Sequence, residues 1–314
     1  MPPTWTRIAM PAVLLAVVLL LAACSGSDSQ QLVIAVQPTA TQEELSAQAG
    51  ELEAFLEDRV EADIEIRFPT SFGGVIESLD FGHANAAFMS AWPASLANKR
   101  AEAEVVLAEI REVSIGDQKA EEPFYFSYWV VPKDSPYNSL EELRGKKAAF
   151  PSQLSTSGYV APLAKLVELG LVQQPEEDKA VNPEEFFGEV LFAGGYSQGW
   201  EALKAGQVDV AIIAGDVPAE LYDKVLGATK VLEEQGPIPS HAVVFSKDFE
   251  DPLRTQLKEA LLELGAEEHR ELMRKFVSGI FVSFEETTTD EHLASLNDFL
   301  DETNVAFQET LRAP

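Results

Sequence analysis

Apolar and polar positions change rhythm repeatedly along this chain, and each change marks an element. Leu32–Gln37 (LVIAVQ) is a short continuous apolar run, the pattern of a buried strand, and Leu45, Leu52, Phe55 and Leu56 follow at helical spacing. Asp63–Phe68 alternates with period two. Ser71-Phe72-Gly73-Gly74 then opens a short helix over Val75–Leu79, and Ala86–Met89, Pro93–Arg100 and Glu104–Ile110 continue as strand, helix and strand. Such alternation predicts a parallel sheet with helices on both faces.

Tyr125–Val131 is a long apolar-aromatic strand before Pro132 and reads as a crossing into a second unit. There Ser139 and Glu142 fit a capping box for a short helix, and Ala148–Phe150 is a short buried strand. A helix carrying Tyr159, Leu163, Leu166 and Val167 then starts at Ser155-Thr156-Ser157-Gly158. Glu189–Phe192 and Val208–Ile213 read as strands around a helix from Gln198 to Leu203. Pro237-Ile238-Pro239 breaks the pattern, and His241–Ser246 reads as the returning strand. The remainder is helical, ending in Glu291–Phe307 with Leu293, Leu296, Phe299 and Leu300 on one face.

The expected fold is therefore α/β, with one lobe inserted into another and two crossings, near Tyr128–Pro132 and Gly236–Ala242. Residues 32–128 with 241–314 form lobe 1 and residues 129–240 form lobe 2. Two lobes joined by two strands imply a hinge with a ligand in the cleft.

The ends change this picture. Arg7, the apolar run Ala12–Leu21 and the junction Leu21-Ala22-Ala23-Cys24 make residues 1–23 a signal segment. Cys24 is the single cysteine of the chain. Placed after two small alanines it resembles a bacterial lipobox, in which it becomes the lipidated first residue; a plain secretory signal is the other reading. Residues 24–31 are polar and suit a tether. With Cys24 acylated no thiol is left for a disulfide or for catalysis. Lys and Arg number 23 against 52 Asp and Glu, a formal net charge of −29, which argues against a nucleic-acid partner. Screening still lets a local site hold an anion.

The Ser155–Ser157 cluster is the first candidate for such a site. The first turn of a helix carries unpaired N–H groups and the positive end of the dipole, and three hydroxyls there make an oxyanion cradle without Lys or Arg. An ordinary N-cap explains the same residues without a ligand.

Further segments carry a resemblance: Ser135-Pro136 through Leu140, Leu143-Arg144-Gly145-Lys146-Lys147, Ser155-Thr156-Ser157-Gly158-Tyr159, Phe192-Ala193-Gly194-Gly195-Tyr196, and Ala202 through Ala211. Together they resemble the phosphate/phosphite/phosphonate-binding family of ABC-transporter substrate-binding lipoproteins. The resemblance implies a two-lobe periplasmic-binding-protein fold with two inter-lobe crossings (type II). It also implies capture of a small oxyanion in the cleft and delivery to an ABC permease without chemistry or cofactor, by a lipid-anchored, extracytoplasmic monomer. Ser155, Thr156 and Ser157 would hold the oxyanion, Tyr196 would add a donor, and Asp216 would accept the ligand's proton. Asp216 also fits the N-cap of a helix over Val217–Tyr222, while Asp209 fits the start of its strand. The chain has Phe72 where the family often has Tyr, Tyr196 where it has His, and Ser90-Ala91-Trp92-Pro93-Ala94 where it has a Gly-Pro…Tyr stretch. A pocket walled by Trp92 and Phe72 with Ser90 is more apolar and favours a ligand with an apolar substituent. Core packing is the other reading of Phe72 and Trp92.

Two other functions fit parts of the sequence. A receptor that presents its ligand to a membrane sensor kinase would have the same features. A serine hydrolase is suggested by Gly195-Tyr196-Ser197-Gln198-Gly199, which matches the G-x-S-x-G elbow, with Ser197, Asp216 and His241 in nucleophile–acid–base order. Against it, no HGGG-like loop lies upstream and His241 opens a strand. The four histidines show no metal-ligand spacing, and His269 and His292 read as solvated helix positions.

Overall fold

The computed structural model describes residues 30–37, 42–115, 118–174, 179–276 and 278–305. Cys24, the signal segment and the tether up to residue 29 lie outside the described residues. Gln30 and Gln31, read as tether, already belong to the first strand, where they pair with Ala62 and Asp63.

Strands β1 (Gln30–Val36), β2 (Ala62–Arg67), β3 (Ala86–Met89), β4 (Glu104–Ile115) and β5 (Gln118–Glu122) come first, and the chain then leaves this sheet. A second sheet takes β6 (Phe124–Pro132), β7 (Lys147–Phe150), β8 (Glu189–Phe192), β9 (Val210–Ala214) and β10 (Thr229–Pro239). The chain returns through β11 (Ala242–Phe245) and β12 (Phe281–Glu286). The first sheet runs β12-β4-β11-β3-β1-β2 with β5 paired to β4, and the second runs β10-β6-β9-β7-β8.

Neither sheet is the wholly parallel one that the alternation predicts. Each has a parallel trio, β3-β1-β2 in one and β9-β7-β8 in the other, bordered by antiparallel strands. The reason is connectivity. Parallel neighbours need a helical crossover, whereas β4–β5 closes as a hairpin, and the strands that carry the chain between sheets run back against their neighbours.

Two boundaries also move. Phe124–Tyr128, assigned to lobe 1 from the sequence, pair with β10 and β9 in the second sheet, so the first crossing falls at Pro123. The C-terminal part does not stay on lobe 1: the helix Ala294–Thr303 packs on the helix Ala161–Glu168 and on β10. Val181 N–H donates to Thr303 O at 2.9 Å and Asn304 Nδ2 donates to Lys179 O at 2.9 Å, which ties that helix to lobe 2. Of the apolar face its periodicity predicts, Leu296 is buried and Phe299 and Leu300 are partly buried, and Thr303 is buried beside them.

One apolar core runs from Met89, Trp92 and Val105 in lobe 1 to Trp129, Phe150 and Leu163 in lobe 2, and includes Leu293 and Leu296. The lobes are therefore packed together through apolar side chains.

Candidate functional site

Both parallel trios point the C-terminal ends of their strands toward the seam between the lobes. Gln37 follows β1, Ser90 follows β3, Pro151 follows β7, and Asp216 lies just beyond β9. Ligands of open α/β sheets bind at this edge, where ladders stop and helices begin. These four residues, with Phe72, Ser155, Ser157, Gly195, Tyr196, Val217, Pro218 and His241, enclose a cavity of about 30 Å³. A buried water needs about 10–15 Å³ by the same measure, so the space holds about two water-sized groups.

The hydroxyl side is built by the helix start. Ser155 is the extended N-cap, and its Oγ accepts from Gly158 N–H at 2.9 Å. Val160 N–H reaches back to Ser155 O at 3.2 Å, a wide π-type turn of the kind concentrated at functional sites. Glycine is required at position 158, because a Cβ there would stand 2.1 Å from Pro151 Cγ. Tyr196 OH lies 2.7 Å from Ser157 Oγ and 3.3 Å from Ser155 Oγ, and Tyr125 OH donates to Ser157 Oγ at 2.8 Å. Ser127 Oγ donates to Ser157 O at 2.7 Å and itself accepts from Gln235 Nε2 at 2.7 Å, so β6 and β10 fix the turn. Burial, and then the nearby Asp216 charge, push the Tyr196 phenol up, so it stays a neutral donor.

Across the cavity, Ser90 N–H donates to Gln37 Oε1 at 2.7 Å, and Gln37 Nε2 lies 3.1 Å from His241 Nε2. Ser90 Oγ lines the cavity, is buried, and has no partner among the described residues. Asp216 Oδ2 is 3.5 Å from His241 Nε2 and 3.0 Å from Arg111 Nη1, while Arg111 Nη2 donates to Glu109 Oε2 at 2.8 Å. Burial raises the Asp216 and Glu109 carboxyls against the opposing pull of Arg111. Burial and the Arg111 charge hold His241 well below the usual histidine range.

Ser90, Ser155, Ser157, Tyr196, Asp216 and Phe72 line this one cavity. Thr156 and Trp92 do not line the cavity. Thr156 Oγ1 accepts from Trp92 N–H at 2.8 Å, a bond between lobes, and the Trp92 ring lies in the apolar core. Asp216 caps no helix: the next one is Ala219–Ala228, preceded by Pro218. Asp209 Oδ2 accepts from Lys147 N–H at 2.9 Å and joins β7 to β9 at their starts. The Ser139 capping box is absent, and Glu142 Oε2 accepts instead from Asn138 N–H at 2.8 Å. His292 is not solvated; it is buried with Nε2 3.0 Å from Ser240 O. The hydrolase triad is not assembled, because Ser197 is exposed on its helix while Asp216 and His241 face the cavity.

Gln37, Glu109 and Arg111 went unnoticed in the sequence. Gln37 had a signal, since it ends a parallel strand at the ligand edge. Glu109 and Arg111 had one too: charges two apart in an apolar strand share one face, and there they are either solvated or paired. Among the described residues no helix is long and apolar enough to cross a membrane, and no cluster of side chains is set to hold a metal.

Two mixed sheets joined by crossing strands around an enclosed polar cavity define a periplasmic-binding-protein fold. The family model described as "ABC transporter, phosphonate, periplasmic substrate-binding protein" matches residues 34–293, and the chain belongs to that family. It is 28% identical over 207 residues to the phosphate-import protein PhnD of Mycolicibacterium smegmatis, covering 62% of this chain and 61% of that one. The chain thus matches less than two thirds of that relative's length. Among solved structures, the binding component of an ABC phosphonate transporter from Pseudomonas aeruginosa superposes with a TM-score of 0.71 at 19% identity, covering 90% of this chain and 93% of that one. PhnD1 from Prochlorococcus marinus, solved with methylphosphonate, gives 0.68 at 14% identity over 86% and 97% of the two chains.

Proposed function

We propose that this chain is the extracytoplasmic substrate-binding component of an ABC importer and closes its lobes on a small tetrahedral oxyanion of the phosphonate, phosphite or phosphate type. The observation that carries this reading is the cavity of about 30 Å³ in which Ser155, Ser157 and Tyr196 hydroxyls at a helix start face the Ser90 hydroxyl, which has no partner among the described residues. Oxygens of the anion would accept from Ser90, Ser155 and Ser157 and from first-turn N–H groups, which needs no dedicated cation. Phe72, Pro151, Val217 and Pro218 give the cavity an apolar side. A P–H or P–CH3 group fits there better than a fourth oxygen, so phosphite and methylphosphonate rank ahead of phosphate. Larger organophosphonates exceed the space.

The ligand is held and released, not converted, and passes to a permease in the membrane. Cys24 would carry the lipid anchor that keeps the monomeric binding protein beside that permease; an unmodified Cys24 on protein purified from membranes would refute this part. Calorimetry of the purified protein with phosphite, methylphosphonate, phosphate and a long-chain phosphonate tests the reading. Binding of the first two with rejection of the long-chain compound is expected, and failure of all the small anions to bind would overturn it.

A further inference from the structure

A second cavity lies on the far side of the loop that follows β9. It measures about 180 Å³, sits between the lobes, and is walled by Tyr125, Phe126, Tyr128, Tyr222 and Ile280. The Tyr128 and Tyr222 ring centroids are 6.3 Å apart, and burial pushes the Tyr128 phenol up, so this wall is aromatic and uncharged. The charged side chains that line the cavity, Glu112 and Lys119, pair with each other and are exposed.

Among the described residues, Val217 alone lines both this cavity and the binding cavity. Its side chain is buried, and its backbone is set from both lobes. Two residues before it, Gly215 N–H donates to Phe126 O at 2.9 Å in lobe 2. From lobe 1, Gly279 lies against the loop so closely that a Cβ there would stand 3.1 Å from Ala219 N and 3.3 Å from Val217 O. Pro218 comes next, with its ring-fixed φ, and the helix Ala219–Ala228 follows. A loop held in this way keeps its position. The partition between the two spaces is therefore the Val217 isopropyl group.

We infer that Val217 is the specificity-determining residue of the site: its side chain shuts alkylphosphonates out of the aromatic cavity and limits the substituent on phosphorus to hydrogen or methyl. This rests on the oxyanion reading of the binding cavity and specifies how the substituent is selected. Of the apolar groups such a substituent would face, Phe72, Pro151, Val217 and Pro218, Val217 is the one backed by the second cavity. A methyl group ends against it. A second carbon overlaps the isopropyl group, and a closely packed wall resists such overfilling. With the side chain cut back to Ala, a straight chain passes through the gap, and its further carbons are buried against Tyr125, Phe126 and Tyr128.

Calorimetry with methyl-, ethyl- and n-propylphosphonate on wild type and Val217→Ala reads the order of the three. Wild type should bind methylphosphonate at least about tenfold more tightly than n-propylphosphonate. In Val217→Ala the order should reverse, with affinity rising about fourfold per added CH2. A residue that merely steadied the loop would change all three affinities alike. Ala219→Leu, placed to fill the second cavity, should cancel the reversal in the Val217→Ala background. Val217→Cys removes less and should narrow the gap between methyl- and n-propylphosphonate, which keeps the test where Val217→Ala does not fold. An unchanged preference for methylphosphonate in the folded variant would overturn the inference alone. So would n-propylphosphonate bound by wild type as tightly as methylphosphonate. If phosphite, methylphosphonate and phosphate all fail to bind wild type, the oxyanion reading falls and the inference with it.

Discussion

The bond between Trp92 N–H and Thr156 Oγ1, 2.8 Å long, joins the first helix residues of one lobe to the binding turn of the other. Both residues are buried in the closed arrangement. Thr156→Val removes the acceptor and keeps the β-branched shape. When the lobes are apart, water satisfies Trp92 N–H, so the loss falls on closure rather than on folding. A buried donor left unsatisfied costs about 1–3 kcal/mol. Because ligand capture and closure are one equilibrium, that cost passes to affinity and raises Kd by roughly 5- to 150-fold. The loss should be similar for phosphite and methylphosphonate, since the group does not line the cavity. Calorimetry with both anions gives the affinities, and small-angle scattering of the ligand-bound protein gives the closed fraction. Unchanged affinity in Thr156→Val would refute the argument that this bond closes the lobes, and a loss confined to one anion would return Thr156 to the ligand.

Ser90→Ala should weaken anion binding by about tenfold while leaving ligand-free stability nearly unchanged, since Ser90 Oγ has no partner among the described residues to lose; thermal unfolding beside calorimetry checks both halves. Burial depresses the His292 pKa from 6.5 to about 4, so the unfolded chain binds this proton first as pH falls. Stability from this group is present above pH 6.5 and is lost down to about pH 4, by roughly 3 kcal/mol. Denaturant melts of wild type and His292→Gln across that window should therefore converge in acid, and parallel curves would count against it. A fluorophosphonate probe should leave Ser197 unlabelled; labelling lost in His241→Ala would restore the hydrolase.

The sequence made the lobe architecture legible wherever hydrophobic rhythm decides structure. The runs at Leu32–Gln37, Ala86–Met89 and Val208–Ile213 are the parallel strands that aim the site, and their apolar character follows from burial on both faces. Strand direction was not legible, because antiparallel β6 and β11 are as apolar as their parallel neighbours. At the site, the Ser155–Ser157 turn was visible because hydroxyls and glycine before an apolar helix are a local signal. The partners were not. Arg111 meets Asp216 across about a hundred residues of chain, and Gln37 meets His241 across twice that. Thr156 shows the limit most clearly: its neighbours in sequence line the cavity, while its own hydroxyl turns to the other lobe.

A co-crystal structure with methylphosphonate tests the central claim most directly. The account predicts phosphonate oxygens within hydrogen-bond distance of Ser90, Ser155 and Ser157, one oxygen against Asp216, and the methyl group toward Phe72, Pro151, Val217 and Pro218. Phosphonate bound elsewhere, or an ordered cavity holding only water at saturating ligand, would contradict it.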